Sequence, residues 1–207
     1  LMGLDPHSIY MDQETFADLQ STTSGEFTGL GLEVGIEDGY IKVIAPIDGS
    51  PAAAAGLQTG DIILKLDSIS LKGVSLSEAV KKMRGPKGTE ILLTIGRKGE
   101  SRPLEVLLVR DVITIASVRH RYLEDGFGYI RVAQFQNKTG ENVAKAVQSL
   151  KEESSLKGMV LDLRNNPGGV LRSSIEVVDL FLSGGKVVYT EGRLPDSSKE
   201  YFATSQD

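Results

Sequence analysis

The sequence predicts a small α+β domain followed by an α/β region, and three observations carry that expectation. Between Phe27 and Arg110 short strand patterns, broken by turn residues, outnumber helical ones. After Asp111 the rhythm lengthens into strands alternating with amphipathic helices. The apolar run Met159-Val160-Leu161 with Leu163 suits a strand covered on both faces, as in a parallel sheet.

Each element has its own warrant. Residues 1–25 carry weak periodicity and end in the polar run Gln20-Ser21-Thr22-Thr23-Ser24-Gly25, which reads as an arm or linker. Strands are expected over Gly29 to Val34, Tyr40 to Ile44, Asp61 to Leu66, Glu90 to Arg97 and Pro103 to Arg110. Ser50 is placed to cap a short helix with Pro51 in its first turn and Gly56 as its stop. A second helix opens with the capping box Ser75-Leu76-Ser77-Glu78, repeats apolar residues at Leu76, Ala79, Val80 and Met83, and ends at Gly85-Pro86. Downstream, the strand Gly128 to Ala133, helix Glu141 to Leu150, strand Gly158 to Leu163, helix Val170 to Leu182 and strand Lys186 to Thr190 make a βαβαβ order.

Composition removes several functions. With 23 basic and 28 acidic residues the net charge is −5, and no basic stripe is present to neutralise phosphates, so nucleic acid is not an expected partner. The absence of Cys excludes disulfides, thiolate metal sites and cysteine nucleophiles, and leaves the compartment open. His7 and His120 stand far apart without ligand spacing, so no metal is expected, and no cofactor is implied. No apolar run approaches the ~18 residues of a membrane span. The chain opens at Leu1 without a signal sequence and stops at Ser205-Gln206-Asp207, so it is expected to be a piece of something longer.

Two glycine-bearing segments can do chemistry. In Leu161-Asp162-Leu163-Arg164-Asn165-Asn166-Pro167-Gly168-Gly169 a buried strand runs through a turn into a helix, where backbone N–H groups and a helix dipole can hold an anion or a developing oxyanion. The same segment also reads as a plain turn whose Asn and Gly supply positive φ. In Phe27-Thr28-Gly29-Leu30-Gly31-Leu32-Glu33-Val34 a Gly-bearing loop enters a strand; beside an apolar helix face it can capture a peptide carboxylate and add the peptide as a strand. Leu76, Val80 and Met83 would then supply pockets, or else simply pack the core. Other motifs have plain readings: Asp5 and His7 as a local turn, Asn137-Lys138-Thr139 as a helix start, and Ser154-Ser155-Leu156-Lys157 as a polar connection whose exposed Lys cannot act as a base.

Taken together, Leu4-Asp5-Pro6-His7-Ser8, Ser24-Gly25-Glu26-Phe27-Thr28-Gly29-Leu30-Gly31, Ser50-Pro51-Ala52, Ala55-Gly56-Leu57, Gly60-Asp61, Met83-Arg84-Gly85, Gly88-Thr89 and the segment 161–169 resemble the carboxyl-terminal processing proteases (tail-specific proteases, peptidase family S41), in the family's order. The resemblance implies an α+β PDZ domain over 26–112, followed at 113–207 by a partial α/β (βαβαβ) protease core, with 1–25 as the arm. It implies a serine-type endopeptidase of the periplasm or cell envelope that recognises apolar C-terminal tails of protein substrates and cleaves with a Ser-Lys dyad. In the family both dyad residues lie downstream of the segment matching 161–169, so this chain is expected to lack them and to be inactive by itself. By matching position, Gly168 and Gly169 become oxyanion-hole backbone candidates. Gly29, Leu30, Gly31 and Leu32 match the carboxylate loop and first groove strand, and Leu76, Val80 and Met83 the facing helix. Arg84 is a candidate for reporting groove occupancy, or else a solvated helix-end cation. The rival expectations are a non-catalytic PDZ module that binds protein C-termini and a homo-oligomerisation fragment whose groove is filled by its own chain.

Overall fold

The computed structural model describes residues 8–153, 155–194 and 197–204. The expectations on Leu4 to His7, Ser154 and residues 205–207 lie outside the described residues. The chain divides into two compact units: Glu26–Thr114, and the residues up to Gly25 together with those from Ile115 onward.

Residues 13–24, expected to be an arm, form an α-helix, α1 (Gln13–Ser24). Both ends explain it: the Asp12 side chain accepts from Thr15 N at 2.8 Å, and Gly25 closes the helix in the left-handed region at φ 74°. Helix α1 is tied to its own unit where Asn137 N donates to Thr23 O at 3.0 Å and Ile115 N to Gly25 O at 2.8 Å.

The Glu26–Thr114 unit contains β1 (Glu26–Gly29), β2 (Leu32–Glu37), β3 (Tyr40–Pro46), α2 (Pro51–Ala54), β4 (Ile62–Leu66), β5 (Ile69–Ser70), α3 (Leu76–Met83), β6 (Glu90–Gly96), β7 (Leu104–Val109) and β8 (Asp111–Thr114). Where one strand was expected from Gly29 to Val34 there are two, because Gly31 takes φ 75° and turns the chain. The main sheet is antiparallel, in order β2-β3-β4-β6-β7 with β5 on β4, while β1 and β8 pair separately. Period-two burial fills the core with Ile41 and Val43 on β3 and Ile91, Leu93 and Ile95 on β6, while on β4 an irregularity between Ile63 and Lys65 sets the buried Ile63 and Leu66 three positions apart. Buried Asp61 is matched rather than orphaned, accepting from Nε and one terminal nitrogen of Arg97, each at 2.8 Å, and from Gln58 N at 2.9 Å.

The second unit continues with β9 (Val118–Tyr122), a short 3₁₀ turn, β10 (Phe127–Val132), α4 (Thr139–Glu153), β11 (Gly158–Asp162), α5 (Leu171–Asp179), β12 (Lys186–Thr190) and β13 (Lys199–Phe202). Strands β10 and β11 are parallel across α4, as the alternating pattern implied, and β9 adds to β10 antiparallel. Strand β12 departs from the expected βαβαβ sheet and pairs with β13, antiparallel. The core gathers Ile130, Val132, Val143, Ala146, Leu150 and Val177. Thr139 braces the turn before α4 instead of capping it: its Oγ1 accepts from Gln136 N at 2.8 Å and lies 2.9 Å from Ser117 Oγ.

Candidate functional site

In the Glu26–Thr114 unit the segment between β1 and β2 is fastened by its carbonyls. Leu30 O accepts from Ala52 N at 3.0 Å, and Gly31 O accepts from Ile47 N at 2.9 Å and Ser50 Oγ at 3.1 Å. The N–H groups of Leu30 and Gly31 donate to no protein acceptor among the described residues. Gly31 has no substitute: a Cβ there would sit 2.1 Å from Ser50 Cβ. Two donors on a loop anchored from behind are what a carboxylate requires.

Beside this loop lies a cavity of about 150 Å³. Of the residues expected at a groove, Gly29, Leu30, Gly31, Leu32, Val80 and Met83 line it. Leu76 does not; one turn earlier on α3, it packs against the core. Leu30 and Met83 are only 2% and 6% exposed, so they form the floor rather than free walls. Phe27, Val34 and Arg84 complete the lining, and sequence reasoning assigned no role to Phe27 or Val34. Alternation along β1 and β2 is the signal that could have found them. Arg84, just past α3, stands with its guanidinium carbon 5.9 Å from the centre of the Phe27 ring.

In the second unit Asp162 anchors the turn that follows β11. Its carboxylate, 4% exposed, accepts from the Tyr129 hydroxyl at 2.5 Å and from Arg164 Nε, terminal nitrogen and backbone N at 2.9, 2.7 and 2.9 Å. The Arg164 guanidinium, and next the Tyr129 hydroxyl, hold this carboxyl well below the usual carboxylate range. Asn165 takes φ 60°, and Asn166 bridges the turn, donating to Val132 O at 3.0 Å.

Gly168 and Gly169 differ. The Gly168 N–H donates to Asn166 Oδ1 at 2.7 Å, so in this geometry it is not available to an oxyanion. Gly169 bridges in parallel to Phe135, with Phe135 N donating to Gly168 O at 2.9 Å and Val170 N to Phe135 O at 2.8 Å. That pattern turns Gly169's own N–H away from the bridge, and it has no protein acceptor among the described residues. Lys157, the base of the one suggestive Ser-Lys spacing, is exposed, and its backbone N–H donates to Gly126 O at 2.7 Å.

Comparison with known proteins agrees with this division. The PDZ domain family matches residues 42–97 and peptidase family S41 matches residues 126–207. The carboxy-terminal-processing protease of Bartonella bacilliformis is 48% identical over 196 residues, covering 93% of this chain and 45% of that protein. The carboxy-terminal processing protease CtpA of Bacillus subtilis is 38% identical over 182 residues, covering 88% of this chain and 39% of its own length. The solved photosystem II D1 C-terminal processing protease superposes with a TM-score of 0.51 at 26% identity, covering 97% of this chain and 56% of that one. The chain thus spans less than half the length of these curated relatives. With a PDZ domain ahead of an S41 segment, the chain belongs to the carboxyl-terminal processing proteases of peptidase family S41.

Proposed function

We propose that this chain serves a serine-type endopeptidase, taking apolar C-terminal tails of protein substrates in the groove between β2 and α3. The observation that carries the reading is the pair of unengaged N–H groups at Leu30 and Gly31 beside an apolar cavity. The terminal carboxylate would accept from these two donors, the last side chain would enter the cavity over Leu30 and Met83, and the preceding residues would pair with β2. Cleavage by a Ser-Lys dyad is part of the proposal, and no residue of this chain is assigned to the dyad. For the protease unit, Gly169 rather than Gly168 is the proposed oxyanion donor, its N–H being the unengaged one. Residence of the whole protein in the periplasm or cell envelope belongs to the same proposal.

The test is a fluorescence titration of this chain with one apolar-ended peptide, as the free acid and as the C-terminal amide. The expected result is tighter binding of the acid by about tenfold, equivalent to about 1.4 kcal/mol. Equal affinity for the two peptides would remove carboxylate capture and, with it, the reading of the groove.

A further inference from the structure

The helical wall of the groove is short, and one distant side chain terminates it. Helix α3 spans Leu76–Met83, and its last carbonyls have no partners within the helix. Arg110, in the link between β7 and β8, donates Nε to Met83 O at 3.0 Å and a terminal nitrogen to Lys82 O at 3.1 Å. Its other terminal nitrogen reaches Thr89 Oγ1 at 3.0 Å and Glu90 O at 3.1 Å. The guanidinium fork thus joins the end of α3 to the start of β6. A cation at a helix C-terminus is also favoured by the helix dipole.

The surroundings are shaped around this fork. A Cβ on Gly85 would stand 2.9 Å from Arg110 Nε and 3.0 Å from Cδ, so a residue without a side chain is what admits the guanidinium. The backbone is fastened too: Gly88 N donates to Arg110 O at 2.8 Å, and Arg110 N to Thr89 O at 2.9 Å. The next residue, Asp111, is the register partner of Gly29 in the β1/β8 pair. Gly29 lines the same cavity as Val80 and Met83 of α3.

We propose that Arg110 is a positioning residue for peptide recognition: its side chain holds the C-terminal end of α3 while its backbone continues into β8, which pairs with β1 at Gly29, so that one residue fixes the end of α3 against the strand that leads into the Leu30-Gly31 loop. This rests on the reading of the groove as a peptide site. Arg110 itself does not line the cavity. Its effect would pass through Met83, the last residue of α3 and part of the cavity floor.

The experiment compares this chain with Arg110→Met, Arg110→Lys and Thr89→Val, each titrated with a labelled apolar-ended peptide as acid and as amide. Amide hydrogen exchange is followed at Arg84, whose N–H bonds to Val80 O at 3.0 Å, and along β3, which Arg110 does not touch, as a reference for the whole domain. Arg110→Met, which loses all four side-chain hydrogen bonds, is expected to weaken acid binding about tenfold, the scale of one charge-assisted hydrogen bond felt at the groove, and to speed exchange at Arg84 with β3 unchanged. Arg110→Lys, which keeps the charge but not the fork, should recover only part of the affinity. Thr89→Val removes a single partner of the fork; should Arg110→Met fail to fold, it carries the test, with an expected loss of about twofold. Affinity equal to the parent in all variants, or a loss that tracks equally faster exchange in β3, would overturn the assignment. A parent chain that binds acid and amide equally would instead overturn the peptide reading, while exchange at Arg84 would still report whether Arg110 holds α3.

Discussion

Two glycine-bearing turns, one in each unit, solve opposite problems with the same residue types. Between β1 and β2 the carbonyls of Leu30 and Gly31 are occupied while their N–H groups stay open. After β11 a side chain, Asn166, reaches back to occupy the N–H of Gly168, and only Gly169 remains open. The first turn presents a pair of donors; the second presents one donor and uses the other to brace itself. A glycine-rich segment therefore does not announce how many donors it offers, because neighbouring side chains decide which are consumed.

The largest effect that would break this comparison is expected from Gly169→Ala. A Cβ there would lie 2.1 Å from Phe135 O at φ 139°, and backbone cannot yield as a side chain can. Thermal unfolding of the second unit should reveal a loss of at least about 3 kcal/mol, and an unchanged transition would mean that the bridge to Phe135 does not form. Gly31→Ala comes next, at about 2 kcal/mol: its Cβ would meet Ser50 Cβ, but φ 75° lies in the left-handed region that other residues reach at a cost, whereas the φ of Gly169 is closed to them; peptide binding should be lost with it. Ser50→Ala keeps the space but removes the bond to Gly31 O and the cap on Ala53 N at 3.2 Å, for an expected loss of about 1 kcal/mol by denaturant titration.

Asn166→Ala sharpens the contrast from the other side. It should cost about 1 kcal/mol or less and release the Gly168 N–H, visible as faster exchange at that amide alone. The remaining test is electrostatic and is read from the pH dependence of stability. The folded-state pKa of Asp162 lies below its unfolded value of about 3.9, so its contribution is present above that pH and fades as pH falls through the folded value. Asp162→Asn should flatten the acid limb of the stability curve below about pH 4, and an identical limb in both proteins would assign it to other carboxylates.

How much was legible depended on how local each signal was. The capping box at Ser75 and the repeat through Met83 mark α3 because both act within a few residues, and Ser75 Oγ does accept from Glu78 N at 3.3 Å. Helix α1 also carried local signals, Asp12 as N-cap and Gly25 as C-cap, but the polar residues between them hid its periodicity. Leu30 also shows what spacing leaves out: at 2% exposed it is core as well as groove, so Leu30→Arg would bury a charge and test the core instead of the peptide site.

The sequence by itself determined the order of elements, the two glycine-bearing segments and the motif order shared with the family, since these depend on residue type and spacing along the chain. Only the tertiary structure decided that Leu76 turns to the core, that Asn166 occupies Gly168, that β12 takes β13 as its partner and that Arg110 closes α3. Gly85 and Arg110 are 25 positions apart in sequence, yet the first leaves the space the second fills. Such pairings depend on where folding brings distant backbone atoms, and hydrophobic periodicity carries no information about that distance.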